Sequence, residues 1–433
     1  MSQEQEIEVQ AGKMTRTEIK ASASLAGIFA LRMLGLFLIL PVFAVYAHKI
    51  PGGDDEFLVG LTLGIYGLTQ GLLQIPFGIA SDRWGRKPVI VVGLLIFAVG
   101  SFLAACADQI VLVMLGRALQ GAGAISAAVT AMISDSVRER VITKAMAMVG
   151  ASIGLTFALS LVIAPPLNEL FGVPGLFVIT GLLALSALPV ILFVVPTPPA
   201  PAVSDEKRPS RWQDVAFDPE LLRLNFGIFS LHAVLTAIFV VVPGRLESMD
   251  LPVLHHWYVY LPAVLFGFAL MVAPIRWAER TQNVTTLVRR AIILMTVTFG
   301  LFTYLMHSIW EIAFLLALFF TCFNVLEATL PGLISRFSPR ESKGLALGIY
   351  NTTQNIGLFA GGAAGGWLAK HFCAESRFAH GPLVLCRPRS DGARPQKARR
   401  YGAVKKCASV RYKLSRSFCR MILASEDFRA QVG

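Results

Sequence analysis

Long apolar runs recur along this chain, and each is long enough to cross a lipid bilayer as a helix. A helix needs about 20 apolar residues to span a hydrocarbon core of roughly 30 Å. Because backbone polar groups in lipid must satisfy one another, helices are the natural spanning unit, and the short alternating segments of a β-barrel are absent. The sequence therefore predicts an all-α polytopic membrane protein. Eleven spans are predicted, at about 22–47, 57–80, 88–107, 111–133, 145–166, 174–196, 222–243, 257–277, 289–307, 310–334 and 344–370.

The composition agrees, since 55% hydrophobic and 15% charged residues exclude an ordinary soluble domain. One connection is long and rich in proline and charge, and it predicts a linker between two helical bundles. The predicted organisation is a polar cytoplasmic tail at 1–21, an N-terminal bundle at 22–196, a cytoplasmic linker at 197–221, a C-terminal bundle at 222–370 and a basic tail at 371–433. The N-terminus has no secretory signal pattern.

Lysine and arginine residues predict the orientation, because cytoplasmic loops carry more of them than exported loops do. With the N-terminus inside, the outer loops hold only Lys49 and Arg245, and all other loops with clustered positive charge lie inside. The expected location is the bacterial cytoplasmic membrane, with multiple spans and a cytoplasmic N-terminus.

The segment 371–433 departs from this pattern. It contains 14 of the 39 lysines and arginines but only 4 of the 27 acidic residues, and no further run long enough to span. A shifted reading frame near residue 370 or a genuine short form of the protein would each account for it. Because almost all of the net positive charge lies in this segment, no nucleic-acid partner is expected. The cysteine spacing predicts no metal site, and no cofactor is expected.

One short corner, GIASDRWGRKP at 78–88, concentrates charge and glycine between two spans. Gly78 is expected to let a neighbouring helix approach closely, and Gly85 to permit a tight turn with positive φ. Asp82 is an acid at the membrane face, where it would favour the positive N-terminus of a helix. The corner also carries the cations Arg83, Arg86 and Lys87.

These residues resemble the major facilitator superfamily, whose signature on this loop is G-x-x-x-D-[RK]-x-G-[RK]-[RK]. A second signature of the family, R-x-x-Q-G-x-G, is met by Arg117, Gln120, Gly121 and Gly123. Over roughly residues 22–370 the chain is most similar to the YajR-type branch of drug:proton antiporters. In span five, however, the drug-antiporter pattern G-P-x-x-G-G is missing.

The resemblance implies two pseudo-symmetric six-helix bundles that alternate access to a central cavity, with the twelfth span missing here. It implies that Asp82 contacts span eleven in the outward-facing state and that Arg86 pairs with Asp135. With Gly78, Arg83, Gly85 and Lys87, these residues form the predicted conformational switch. The alternative is that the charges only enforce topology.

Four ionisable residues lie inside predicted spans, where each charge costs about 2.5–3.5 kcal/mol on insertion scales. Glu327 is the candidate proton carrier, because burial favours its neutral form, and His232 is the candidate relay. Arg117 is linked to proton coupling by the resemblance. Structural hydrogen bonding or packing is the alternative for each. The candidate substrate-binding residues are Arg32, Tyr66 and Gln120.

The leading hypothesis is a secondary active transporter that exports small amphipathic compounds in exchange for protons. Its expected partners are a small-molecule substrate, protons and the lipid bilayer, and a monomer is expected. One alternative is a transporter of an anionic or sugar-like solute that uses Arg32 and Arg117. Another is a truncated membrane product that does not transport. No enzyme is expected, since the motifs HExxH, G-x-S-x-G and the P-loop are absent.

Overall fold

The computed structural model describes residues 14–138, 141–196, 212–281, 283–302, 304–338 and 343–370. Within these ranges the regular elements are all helical. The α-helices are α1 (Arg16–Ala47), α2 (Glu56–Trp84), α3 (Arg86–Ala105), α4 (Ile110–Ala122), α5 (Ser126–Ser136), α6 (Ile142–Pro189), α7 (Trp212–Ala216), α8 (Pro219–Glu247), α9 (Trp257–Arg280), α10 (Val284–Phe302), α11 (Ile309–Phe337) and α12 (Lys343–Leu368).

The described part of the chain contains nine helical segments that are long and apolar enough to cross a membrane. One of them combines two predicted spans, because α6 runs through both with a break at Gly172 (φ 66°, ψ 174°). Another is interrupted, because the predicted span 111–133 is built from α4 and α5. The break between them follows Gly123, where a methyl group would lie 2.3 Å from the carbonyl oxygen of Gly93. The chain therefore leaves helical geometry where two helices touch.

Capping residues move two predicted boundaries. Helix α1 begins at Arg16 rather than residue 22, because Thr15 and Glu18 form a reciprocal capping box. Helix α8 begins at Pro219, inside the predicted linker, since Asp218 accepts hydrogen bonds from the first turn. The short α7 also lies within that linker. Residues 197–211 and the predicted tail 371–433 lie outside the described residues.

Helices α1–α6 form one half of the molecule (the N half) and α7–α12 the other (the C half). The end that carries residues 78–88 is called the motif end, and the end that carries residues 47–56 is called the far end. Helices α2 and α12 form the main contact between the halves. A methyl group on Gly60 would lie 2.1 Å from the carbonyl oxygen of Gly362, and one on Gly67 would lie 2.4 Å from that of Asn355. Only glycine permits this approach.

A second face of α12 packs within the C half. Methyl groups on Gly357 and Gly361 would lie 2.3 Å and 2.0 Å from the carbonyl oxygens of Phe229 and Ala233 on α8. The small-residue surface of α12 thus has two sides, one toward its own half and one toward the other half.

The buried apolar side chains form two clusters. The larger joins the C half to the far-end parts of the N-half helices, including Phe43, Val59, Val113 and Phe177. The smaller contains only N-half residues and lies toward the motif end, around Ile28, Phe97, Met132 and Ala187. The halves therefore share one core at the far end and have separate cores at the motif end. This describes a molecule that is closed at the far end and open at the motif end.

An aromatic cluster lies where the halves meet. Phe157 of α6 stands 6.2 Å from Phe239 of α8 and 5.7 Å and 6.2 Å from Phe320 and Phe323 of α11, measured between ring centroids. It also contacts Phe37 of its own half at 5.0 Å. Phe157 thus links four rings across the junction.

Candidate functional site

Glu327, the acid deep within the C half, is held by two side chains from other helices. Gln354 of α12 donates a hydrogen bond from Nε2 to Glu327 Oε1 at 3.3 Å. The same nitrogen lies 2.8 Å from Nε2 of His232 on α8, and His232 Nε2 lies 4.0 Å from Glu327 Oε2. The structure thus brings together the predicted carrier and the predicted relay, with Gln354 between them.

The hydrogen bonds assign the proton on His232. Its Nδ1 lies 3.3 Å from the carbonyl oxygen of Ile228, which can only accept, so Nδ1 carries the hydrogen and Nε2 accepts from Gln354. Glu327 Oε2 has no hydrogen-bond partner among the described residues. The side chain as a whole is 32% exposed, but Oε2 itself is buried, so it is an acceptor without a partner in the described part of the chain.

Arg32 of α1 is buried in the N half and is held by neutral groups. It donates to Gln70 Oε1 at 2.9 Å and to Ser126 Oγ at 3.2 Å. Its guanidinium also lies 5.7 Å from the ring centroid of Tyr66 and 5.6 Å from that of Phe97. Cation–π contacts of this kind contribute more when they are desolvated.

Arg117 of α4 has a similar environment. Its Nη1 donates to Gln120 Oε1 at 3.0 Å, and Gln120 in turn donates to Ser101 Oγ at 2.8 Å. The guanidinium lies 5.0 Å from the Tyr66 ring centroid, so Tyr66 stands between the two arginines. No carboxylate in the described ranges forms an ion pair with either arginine.

The predicted substrate-binding residues lie inside the N half. Arg32, Tyr66 and Gln120 are at most 1% exposed and form one cluster with Arg117. The structure brings these three residues together and buries them within the helices of one half. Their role in substrate binding stays a prediction.

Both glutamines that hold these charged groups come from a near-repeat in the sequence. Gln70 ends GIYGLTQ at 64–70 on α2, and Gln354 ends GIYNTTQ at 348–354 on α12. The two segments pack toward each other, since a methyl group on Gly71 would lie 3.3 Å from the carbonyl oxygen of Thr352. The glutamines were not among the predicted site residues, and this repeat is the signal that identifies them.

At the motif end, Arg86 connects two acids. It donates to Asp135 Oδ2 from Nε at 2.9 Å, which is the predicted pair, and it also pairs with Asp82 through Nη1. Gly85 has the predicted positive φ, 94°. Lys87 donates to the carbonyl oxygen of Val195 at 2.7 Å. The Asp82 side chain is 64% exposed and makes no ion pair outside the corner in the described part of the chain.

Gly78 does not have the predicted close contact in this conformation. A methyl group there would meet only Ala127 Cβ at 3.7 Å, which is ordinary van der Waals distance. Arg83 is exposed. Whether these six corner residues and Asp135 act as a switch remains a prediction.

A second ion pair anchors the same end and was not predicted. Glu18 Oε1 accepts from Nε of Arg138 at 2.8 Å, and Oε2 accepts from Nη2 at 2.9 Å. The backbone N–H of Arg138 also donates to Glu18, at 3.0 Å. Asp135 is in the last turn of α5 and Arg138 follows that helix, so the end of α5 is bound to both the corner and the start of α1. Such bidentate pairs are geometrically specific.

At the far end, one ion pair joins the halves. Lys370 Nζ donates to Asp55 Oδ2 at 2.7 Å, while Asp55 Oδ1 caps α2 by accepting from the N–H of Phe57 at 2.9 Å. The hydrogen bond from Lys370 lowers the pKa of Asp55 below its usual value. The carboxylate of Asp55 therefore stays ionised, and the pair stays formed, at every pH above the usual aspartate range.

We expect Lys370→Gln to shift the molecule toward far-end opening by up to about fivefold, because a partly exposed pair contributes about 0.2–1 kcal/mol. The lowered pKa means that this contribution is present near pH 7 and is lost only as pH falls through the shifted value. Spin labels at Asp108 and Glu247, both exposed, would report the far-end distance. Lys49→Gln is the control, and equal shifts in both variants would contradict the prediction.

The described residues contain no group of three or more histidine, cysteine, aspartate or glutamate side chains placed to hold a metal ion.

Comparison with known proteins gives a consistent result. The profile of the Major Facilitator Superfamily matches residues 25–362. The inner membrane transport protein YajR of Escherichia coli is 41% identical over 374 residues, which cover 86% of this chain and 82% of that protein. The multidrug resistance protein MdtH of Aeromonas hydrophila is 26% identical over 350 residues, which cover 77% of this chain and 82% of that protein. Among solved structures, a bacterial homolog of the human lysosomal transporter Spinster, in an inward-facing and occupied conformation, superposes with a TM-score of 0.69 at 13% identity, covering 93% of this chain and 94% of that one.

Proposed function

The chain belongs to the Major Facilitator Superfamily, and on this basis we propose that it exports small amphipathic compounds in exchange for protons by alternating access. It is a membrane transporter and not an enzyme. The proposed orientation places the motif end in the cytoplasm, as the loop charges predict. The described conformation is then the inward-facing one, with the far end closed toward the outside.

The observation that carries the proposal is the Glu327 cluster. Glu327 has one oxygen bound by Gln354 and one without a hydrogen-bond partner among the described residues, and the side chain is partly exposed. A carboxyl group in this position can take up a proton without breaking an ion pair, because neutral His232 and the amide of Gln354 are its polar contacts. An ionisable residue within a membrane span raises the free energy of insertion, and such residues commonly belong to a proton pathway.

Gln354 provides a physical link from this proton to the conformational change. It lies on α12 next to Asn355, whose backbone carbonyl packs against Gly67 of the other half. An ionised Glu327 only accepts hydrogen bonds, and it accepts one from Gln354. A protonated Glu327 also donates one, so it can compete with Gln354 for the acceptor nitrogen of His232. Protonation therefore changes the hydrogen bonds of the helix that forms the junction between halves. A differential interaction of this kind is what a ligand needs to shift a two-state equilibrium.

Drug-like cargo is supported by the apolar junction and by the similarity to MdtH, whose name describes a multidrug resistance protein. A hydrophobic site with few polar groups binds amphipathic molecules with modest specificity.

The test is proton-driven uptake of ethidium into proteoliposomes. A pH gradient should accelerate ethidium uptake at least tenfold less in Glu327→Gln than in the wild type. Ethidium exchange in the absence of a gradient should remain measurable in this variant. Loss of a general proton-transfer group typically costs a factor of 10²–10⁴. Glu311→Gln, on the same helix near the far end, should retain most of the wild-type rate. Unchanged gradient-driven transport in Glu327→Gln would contradict the proposal.

A second candidate function is transport of an anionic solute. Arg32 and Arg117 favour it, since both are buried guanidinium groups without a paired carboxylate in the described ranges. Uptake of a labelled organic anion into the same vesicles that other organic anions inhibit and ethidium does not would support this candidate over drug export.

A further inference from the structure

A cavity of about 440 Å³ lies in the C half, and its lining residues on α11 are on the opposite face of that helix from Glu327. It is formed by α9, α10 and α11. Its lining is mostly apolar and includes Leu287, Leu294, Cys322 and Val325. None of these residues contributes to the transport site described above, so the cavity needs a separate explanation.

The mouth of the cavity is cationic and aromatic. Arg290 lines it, and the guanidinium lies 5.3 Å from the ring centroid of Trp277, which also lines it. In the described part of the chain Arg290 forms no ion pair with a carboxylate. Two further exposed cations, Arg280 and Arg289, are close in sequence on either side of the turn between α9 and α10.

The position of these residues matches the layers of a membrane. Trp277 is near the motif-end terminus of α9, and Arg290 is about 9 Å from the start of α10. Tryptophan and arginine at helix ends lie at the headgroup level, where they anchor a protein to the interface. Leu294, Cys322 and Val325 lie farther from that terminus, at the level of the acyl chains. The cavity therefore combines a cationic mouth with an apolar interior along the direction of a lipid molecule.

We propose that this cavity binds one anionic phospholipid, with its phosphate at Arg290 and one acyl chain along the apolar lining. Charge complementarity selects this occupant, since basic pockets between membrane helices are suited to anionic headgroups. The guanidinium, already positioned by Trp277, can bind a phosphate through two parallel hydrogen bonds. A zwitterionic lipid such as phosphatidylcholine also has a phosphate, but its choline cation cancels the net charge, so its attraction to Arg290 should be weaker. The proposal does not depend on the transported substrate or on the coupling ion.

The experiment uses the full chain purified in a neutral detergent, with lipid binding counted by native mass spectrometry. Dioleoylphosphatidylglycerol should bind with a stoichiometry of one at low concentration and more tightly than dioleoylphosphatidylcholine. Arg290→Gln should weaken phosphatidylglycerol binding about fivefold, the factor that corresponds to one cation near a membrane surface. Arg289→Gln removes the same charge from the neighbouring position, which does not line the cavity, and should change binding less than twofold.

A second variant tests the apolar part. Leu294→Trp fills the cavity without changing charge and should reduce binding of the tight phosphatidylglycerol molecule while the protein stays folded, as followed by its thermal transition. Equal effects of Arg289→Gln and Arg290→Gln would overturn the proposal, since they indicate a diffuse surface attraction. Equal affinity for the two lipids or unchanged phosphatidylglycerol binding in Leu294→Trp would overturn it as well. So would a rise of the thermal transition with inorganic phosphate equal to the rise with phosphatidylglycerol.

Discussion

A leucine at position 362 should leave the C half folded but prevent the two halves from closing at the far end. Gly362 faces α2, and a methyl group there would lie 2.3 Å from the carbonyl oxygen of Gly60. The added side chain cannot be accommodated by a rotamer change, because the contacted atoms belong to backbone. We expect the distance between spin labels at Asp108 and Glu247 to increase and the closed population to fall at least tenfold.

The neighbouring glycine gives the matched control. Gly361 faces α8 of the same half, where a methyl group would lie 2.0 Å from the carbonyl oxygen of Ala233. Gly361→Leu should therefore destabilise the C half by about 3 kcal/mol, the upper part of the usual range for overpacking. Its thermal transition should fall sharply, whereas that of Gly362→Leu should change little. Similar losses of folded protein in both variants would contradict the division of α12 into two faces.

Asp82→Asn should reduce transport at least tenfold while the protein remains inserted and stable. In the described conformation Asp82 is largely exposed and pairs only with Arg86, so removing its charge should change stability by no more than about 1 kcal/mol. The loss should instead appear in the other conformation, in which the halves meet at the motif end. Gradient-driven ethidium uptake measures the rate, and thermal unfolding in detergent measures the stability.

Asp54→Asn is the control for Asp82→Asn, because it also removes one exposed carboxylate but at the far end. It should transport at the wild-type rate. Normal transport by Asp82→Asn would contradict a role of the corner at 78–88 in the conformational change. Its charges would then only set the orientation of the helices in the membrane.

The helices and the corner could be predicted because their signals are local. Hydropathy identifies a span from its own residues, and the turn at Gly85 follows from adjacent glycine, charge and proline. The boundaries were less predictable. The break at Gly123 lies where the backbone of Gly93 on another helix approaches, and α1 starts six residues before the predicted span because of the capping box formed by Thr15 and Glu18.

The contacts of the candidate site could be predicted only in part. Glu327 and His232 were identified one at a time as costly intramembrane groups, but their proximity requires α8 and α11 to be adjacent, and Gln354 comes from a third helix. Asp55 and Lys370 are separated by 315 positions, so nothing in their local sequences relates them. Partners of this kind follow from helix packing rather than from any local pattern.

Phe157 has a consequence for cargo selection. It is in contact with rings from both halves, and under the proposed function a cargo that passes between the halves at this level would have to separate them. Each aromatic pair is worth about 0.5–1.5 kcal/mol beyond its buried area. A flat, ring-containing cargo could replace these mostly edge-on and tilted ring contacts if Phe157 moved aside, whereas a sugar-like cargo could not. We therefore expect the aromatic cluster around Phe157 to favour planar apolar molecules, which should be transported faster than other molecules.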